Sequence, residues 1–91
     1  MTYLRWPNKD PDEVLDYEID WTDRLAGDTI STSTWTVPAG ITKDSDVKTD
    51  STTTIWLSSG TLGATYQVLN RIVTTDGRTM DQTVSISISD K

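Results

Sequence analysis

The chain has 91 residues, with 14 acidic against 8 basic side chains and neither cysteine nor histidine. That rules out disulfides and thiolate metal sites, and removes the commonest general base and transition-metal ligand. The net charge of −6 disfavours a nucleic-acid groove or an anionic membrane surface, since both need a basic patch.

The length suits one domain around one core. No apolar run approaches the ~20 residues of a membrane span, and Met1-Thr2-Tyr3 does not open like a signal peptide. Serine and threonine supply 26 residues, phenylalanine is missing, and four Trp and three Tyr are the aromatics. Thr, Val, Ile, Trp and Tyr favour a pleated, half-buried surface. Strong helix formers never repeat for long at helical spacing, so the composition is all-β.

Residues 1–14 hold Pro7 and Pro11 and are expected to form an extended N-terminal arm, with the folded domain at 15–91. Asp10 to Trp21 reads DPDEVLDYEIDW, six acids and no base. From Leu15 the pattern has period two. Leu15, Tyr17, Ile19 and Trp21 share one face, and Asp16, Glu18 and Asp20 share the other. These acids therefore read mainly as the solvent side of a first strand. Gly27-Asp28 signals a turn, with Leu25 plugging the end of the core.

Ile30 to Val37 is the second strand. Ile30 and Trp35 have opposite parity, which requires either a bulge between them or an outward Trp35. Residues 42–51 read as a polar connection with a short edge strand around Asp46–Lys48. Thr52 to Ser58 is a third clear strand, with Ile55 and Leu57 inward and Thr54, Trp56 and Ser58 outward. Tyr66, Val68, Asn70 and Ile72 then alternate with Gln67, Leu69, Arg71 and Val73. Asp76-Gly77 separates this run from a last strand in which Val84, Ile86 and Ile88 point inward, a strong hairpin signal. Six or seven short strands separated by turn signals predict an antiparallel β-sandwich.

The segment Gly63-Ala64-Thr65-Tyr66, followed by Val68 and a DG hairpin into a final strand, resembles the end of immunoglobulin-like domains. In that fold a tyrosine returns its hydroxyl to the backbone at a corner, and the resemblance makes Tyr66 the candidate. Over nearly the whole chain, WPNKDPDEVLDYEIDWTDRLAGDTISTSTWTVPAGI and TTTIWLSSGTLGATYQVLNRIVTTDGRT are similar to small proteins of tailed bacteriophages and prophages. These carry one Ig-like domain and are described as fibre–tail adaptor or minor virion proteins. The resemblance implies an Ig-like sandwich of about seven strands, made in the host bacterial cytoplasm and resident in the virion. Its partners would be other phage structural proteins of the tail, baseplate or fibre, with homo-oligomers within the particle. It supplies no catalytic residue and no cofactor.

Several residues can be weighed for chemistry on their own. Asp16 and Glu18 alternate on a strand and so lie ~6.8 Å apart, inside the ~6.5–9.5 Å range of an inverting glycosidase pair. A solvated strand face lacks the cleft that such chemistry needs. Asp44, Asp46 and Asp50 mimic the first ligands of a calcium loop, but an EF-hand requires Gly and Glu where Thr49 and Ile55 stand. Asp10, Asp12 and Glu13 are further candidates for an irregular calcium site, against which a solvated loop is the plainer reading. Asn70 on an inward face is either a polar site or an amide satisfied by backbone. Trp56, outward among threonines, and Tyr3 and Trp6 on the arm are the candidate interface anchors.

The expectation is a non-enzymatic adaptor or decoration module. The alternative is a carbohydrate- or host-surface-binding module stacking sugars on Trp56, Trp35 or Trp6.

Overall fold

The computed structural model describes residues 9–89 and the backbone of residues 4–5. The elements in chain order are β1 (Leu4–Arg5), β2 (Leu15–Asp20), α1 (Thr22–Leu25), β3 (Ile30–Thr36), β4 (Ile41–Lys48), β5 (Thr52–Ser59), β6 (Thr65–Thr74) and β7 (Thr79–Ser87). They form two sheets, β1-β7-β6-β3 and β2-β5-β4. Every pairing is antiparallel except the short one between β1 and β7.

The period-two pattern explains how the layers meet. Ile55 and Leu57 of β5, Val68 and Ile72 of β6, and Val84 and Ile86 of β7 are all fully buried in one cluster. Each such side chain contributes roughly 1.5–3 kcal/mol on leaving water. Trp21 and Leu25 close one end of this core from α1. That single helical turn was not expected. It ends at Ala26, whose φ of 51° and ψ of 45° are left-handed, so the helix stops where Gly27 begins the turn.

A register shift between Ile30 and Thr32 against β6 resolves the parity conflict in β3. The extra residue lets both Ile30 and Trp35 enter the core. Trp35, only 7% exposed, is therefore not available as a stacking platform.

The expected polar connection at 42–51 is corrected as well: most of it is strand β4, paired to β5 over its full length with a bulge between Lys43 and Ser45. As an edge strand, β4 buries only Ile41 and half-buries Asp46. Its sequence consequently carries no alternation to read.

The hairpin at Asp76-Gly77 joins β6 to β7. Gly77 takes a φ of 90° and its N–H donates to the Thr74 carbonyl at 2.9 Å, a conformation that suits glycine best. Two points before β2 lie against the C-terminal strand. Leu4 and Arg5 pair with Val84 and Ser85, and Lys9 bridges Ile88.

Candidate functional site

The outer face of β2-β5-β4 is built by strand register. Asp16 lies opposite Trp56, Glu18 opposite Thr54 and Asp20 opposite Thr52. On the far side of β5, Ser45 lies opposite Trp56 and Val47 opposite Thr54. Trp56 therefore sits on the central strand, half-buried, between an exposed carboxylate and a serine. Val47 adds an exposed aliphatic patch at 53%, and no residue in register on this face is basic. The arrangement offers a flat aromatic surface ringed by acids, a chemistry suited to binding. Asp16 and Glu18 are both exposed on an open sheet, with no wall to hold a sugar between them.

The calcium candidates are drawn to separate partners. Asp46 pairs with Lys43 at 3.0 Å, and Asp44 accepts from the Ser58 hydroxyl at 2.9 Å. Asp10 and Glu13 cap their own turn: Asp12 N–H donates to Asp10 Oδ1, and Asp10 N–H donates to Glu13 Oε1, both at 2.9 Å. Among the described residues, no group of three acids could hold a metal.

Asn70 is fully buried and satisfied. Its Oδ1 accepts from Thr53 Oγ1 at 2.7 Å and from Trp21 Nε1 at 3.2 Å. Its Nδ2 donates to Ser33 Oγ at 3.0 Å and to the Thr34 carbonyl at 3.1 Å. It is a structural amide that ties both sheets together, not a binding group.

Tyr66 accepts the Thr61 backbone N–H at 3.0 Å, and its hydroxyl pKa is lowered first by the Thr61 side chain and then by this N–H. Gly40 passes so close that a Cβ there would lie 2.9 Å from the Tyr66 oxygen. Tyr3 and Trp6 lie outside the described residues.

A family model for the podophage GP4 fiber-tail adaptor protein gp77 matches residues 9–87. The chain belongs to this fiber-tail adaptor family. No curated protein matches it. Membership makes the chain a structural component of a tailed-phage particle, in agreement with the resemblance carried by its sequence. The adaptor match begins and ends on a bonded pair, since the Lys9 N–H donates to the Ser87 carbonyl at 3.0 Å.

Sequence reasoning missed three features of this adaptor. Lys9 is fully buried, with its Nζ on the Ser59 carbonyl at 2.7 Å and the Asp10 carbonyl at 2.8 Å. Arg24 lies over the Trp21 ring at 4.8 Å and donates to the Asp81 carbonyl at 2.9 Å. Asp28 and Arg78 join the turn after α1 to the β6–β7 hairpin. Lysine and arginine are ordinarily surface residues, so nothing in the hydrophobic pattern marked them.

Proposed function

We propose that this chain is a non-enzymatic, immunoglobulin-like adaptor that joins fibre to tail in a podophage particle. The family match over residues 9–87 carries the reading. Strand order supports the Ig-like assignment, because β2-β5-β4 and β3-β6-β7 correspond to the B-E-D and C-F-G sheets of that fold. The Tyr66 hydroxyl on the Thr61 N–H supports a tyrosine corner.

Docking uses the outer face of β2-β5-β4 with Trp56 as its anchor, extended by Tyr3 and Trp6 of the N-terminal arm. Tryptophan suits that role because it loses much apolar surface while ordering few torsions. Asp16 and Glu18 beside it, exposed and without an ion pair among the described residues, favour basic groups on the tail, baseplate or fibre protein. Several copies per particle add avidity without strong individual contacts. The chain needs no cofactor, nucleic acid or membrane for this, and is made in the host cytoplasm before assembly. The carbohydrate-binding alternative loses support because Trp35 is in the core.

The deciding experiment is electron microscopy of particles produced without this chain. Tails that assemble but lack fibres are expected, with fibres restored by the wild-type chain and not by Trp56→Ala. Particles that carry a full set of fibres without the chain would overturn the reading.

A further inference from the structure

The two sheets turn faces of different chemistry to solvent. On either side of the Trp56 strand, β2 and β4 carry five acids, Asp16, Glu18, Asp20, Asp44 and Asp46, against Lys43 and Lys48. On β3, β6 and β7 the only charged residues are Arg71 and Asp81. In a chain of net charge −6, the face built by these three strands is left without net charge.

Strand register sets the composition of that face. Leu69, Arg71 and Val73 alternate with the buried residues of β6, which lies between β3 and β7. Each is opposite a threonine of β3, and on β7 the residues opposite are Thr83, Asp81 and Thr79. Val73 is exposed and Leu69 half-buried, so apolar surface flanks the arginine on both sides. Threonine and valine are β-branched and stiff. The one long side chain is pinned, because Arg71 Nε and Nη2 donate to the two Asp81 oxygens at 2.8 and 3.0 Å. The face therefore has little side-chain freedom to lose on binding, and that loss is a main cost of forming an interface. Threonine suits any exposed strand by propensity alone. Propensity does not account for the missing lysine and glutamate, which a solvated face tolerates and the centre of an interface excludes.

We infer that this face is a second docking surface, separate from the Trp56 face, and takes an uncharged protein surface that lays an aromatic ring on Arg71. Charge selects this occupant. Asp81 already matches the guanidinium, so an acidic partner gains little here, and a basic partner meets Arg71 itself. A guanidinium held flat against a carboxylate keeps its plane for stacking on a ring. Among the described residues, no ring of this chain lies over it. The inference rests on the adaptor reading, since a chain that joins two proteins needs two surfaces. Opposite faces of a sandwich allow both to be occupied at once.

The experiment uses two probes: fibreless particles from an infection lacking this chain, and isolated fibres. Binding of the full chain to each is measured by biolayer interferometry. Wild type should bind both. Val73→Lys should bind one probe at least about tenfold more weakly and keep the other, and Trp56→Ala should do the reverse. The binding that each variant keeps shows that it is folded. Arg71→Lys retains the charge and loses the plane. Its side chain is 56% exposed, so the ion pair contributes little to folding, and this variant should weaken the same probe as Val73→Lys. Added salt should barely change binding at this face, while binding at the acidic Trp56 face should weaken.

If Val73→Lys binds both probes like wild type, or loses the same probe as Trp56→Ala, the inference is overturned and the adaptor reading stands. A steep salt dependence for the probe that Val73→Lys loses would overturn the uncharged partner. A wild type that binds neither probe would overturn the adaptor reading itself, and this inference with it.

Discussion

Asn70 shows what a single residue can carry in this fold. Its position on the inward face was legible, since Val68, Asn70 and Ile72 share one parity. Its partners were not, because Thr53, Ser33 and Trp21 are 17, 37 and 49 residues away in the chain. Only the meeting of two sheets brings them together. Replacing the amide with leucine leaves the Trp21 indole its bond to Thr53 at 3.0 Å, but strips the donor from Ser33 and from the Thr34 carbonyl. We expect Asn70→Leu to cost about 2–4 kcal/mol by urea denaturation. Against a total stability of roughly 5–14 kcal/mol for a chain of this length, that is a large share.

Tyr17 offers a second test at the same scale. Burial first, then the charges of Glu13 and Asp16, push its hydroxyl from 10.0 up to about 12. A group with a raised folded pKa stabilises fully below its unfolded value and loses that contribution as pH rises through the folded one. Stability should therefore fall between pH 10.0 and about 12. Tyr17→Phe should flatten this alkaline limb in thermal unfolding.

At the scale of elements, strands with two distinct faces were legible, whereas β4, which buries almost nothing, and the short helix were not. Thr52–Ser59 and Thr79–Ser87 could be read by alternation because each buries one side. Ile41–Lys48 could not, as only Ile41 is buried. The four-residue α1 is too short for a 3.6-residue period to register.

The β6–β7 hairpin combines the two cases. Its DG turn was visible, but its attachment to the α1–β3 connection was not. Asp28 binds there to Arg78 at 3.2 Å and accepts the Asp76 N–H at 3.3 Å. Hydrogen bonds hold its carboxyl below the ordinary 3.8, that of the Thr74 hydroxyl foremost, followed by those of the Thr29 N–H, Arg78 and the Asp76 N–H. A lowered folded pKa means that the contribution is complete above the unfolded value and is lost as pH falls through the folded one. Acid unfolding of the wild type should thus steepen below pH 3.8. Asp28→Asn should be less stable at neutral pH and show a shallower acid limb, read by circular dichroism across a pH series.

For the whole molecule, the question is where the folding unit begins. Pro7 and Pro11 suggested an arm as far as residue 14, and prolines do disfavour a central strand. Backbone pairing to β7 nevertheless reaches back into that segment. The Lys9 N–H donates to the Ser87 carbonyl, and the Ser89 N–H donates to the Lys9 carbonyl at 2.9 Å. The Lys9 ammonium meanwhile reaches the Ser59 carbonyl, at the end of the other sheet. One residue thus fastens the N-terminal segment, β7 and β5. A buried ammonium is tolerated only where hydrogen bonds replace its water, and the Ser59 and Asp10 carbonyls supply them here.

A chain starting at residue 9 should retain these bonds, and a chain starting at residue 15 should lose them all. The expected difference is about 1–3 kcal/mol in urea, with the longer chain the more stable. Lys9→Met in the full chain separates the contributions, because it keeps both backbone bonds and removes only the ammonium. An intermediate stability for that variant would assign part of the effect to strand pairing and part to the tie across the sheets. Equal stability of the two truncated chains would instead place the boundary of the folding unit at residue 15, with residues 9–14 resting on a sandwich that is complete without them.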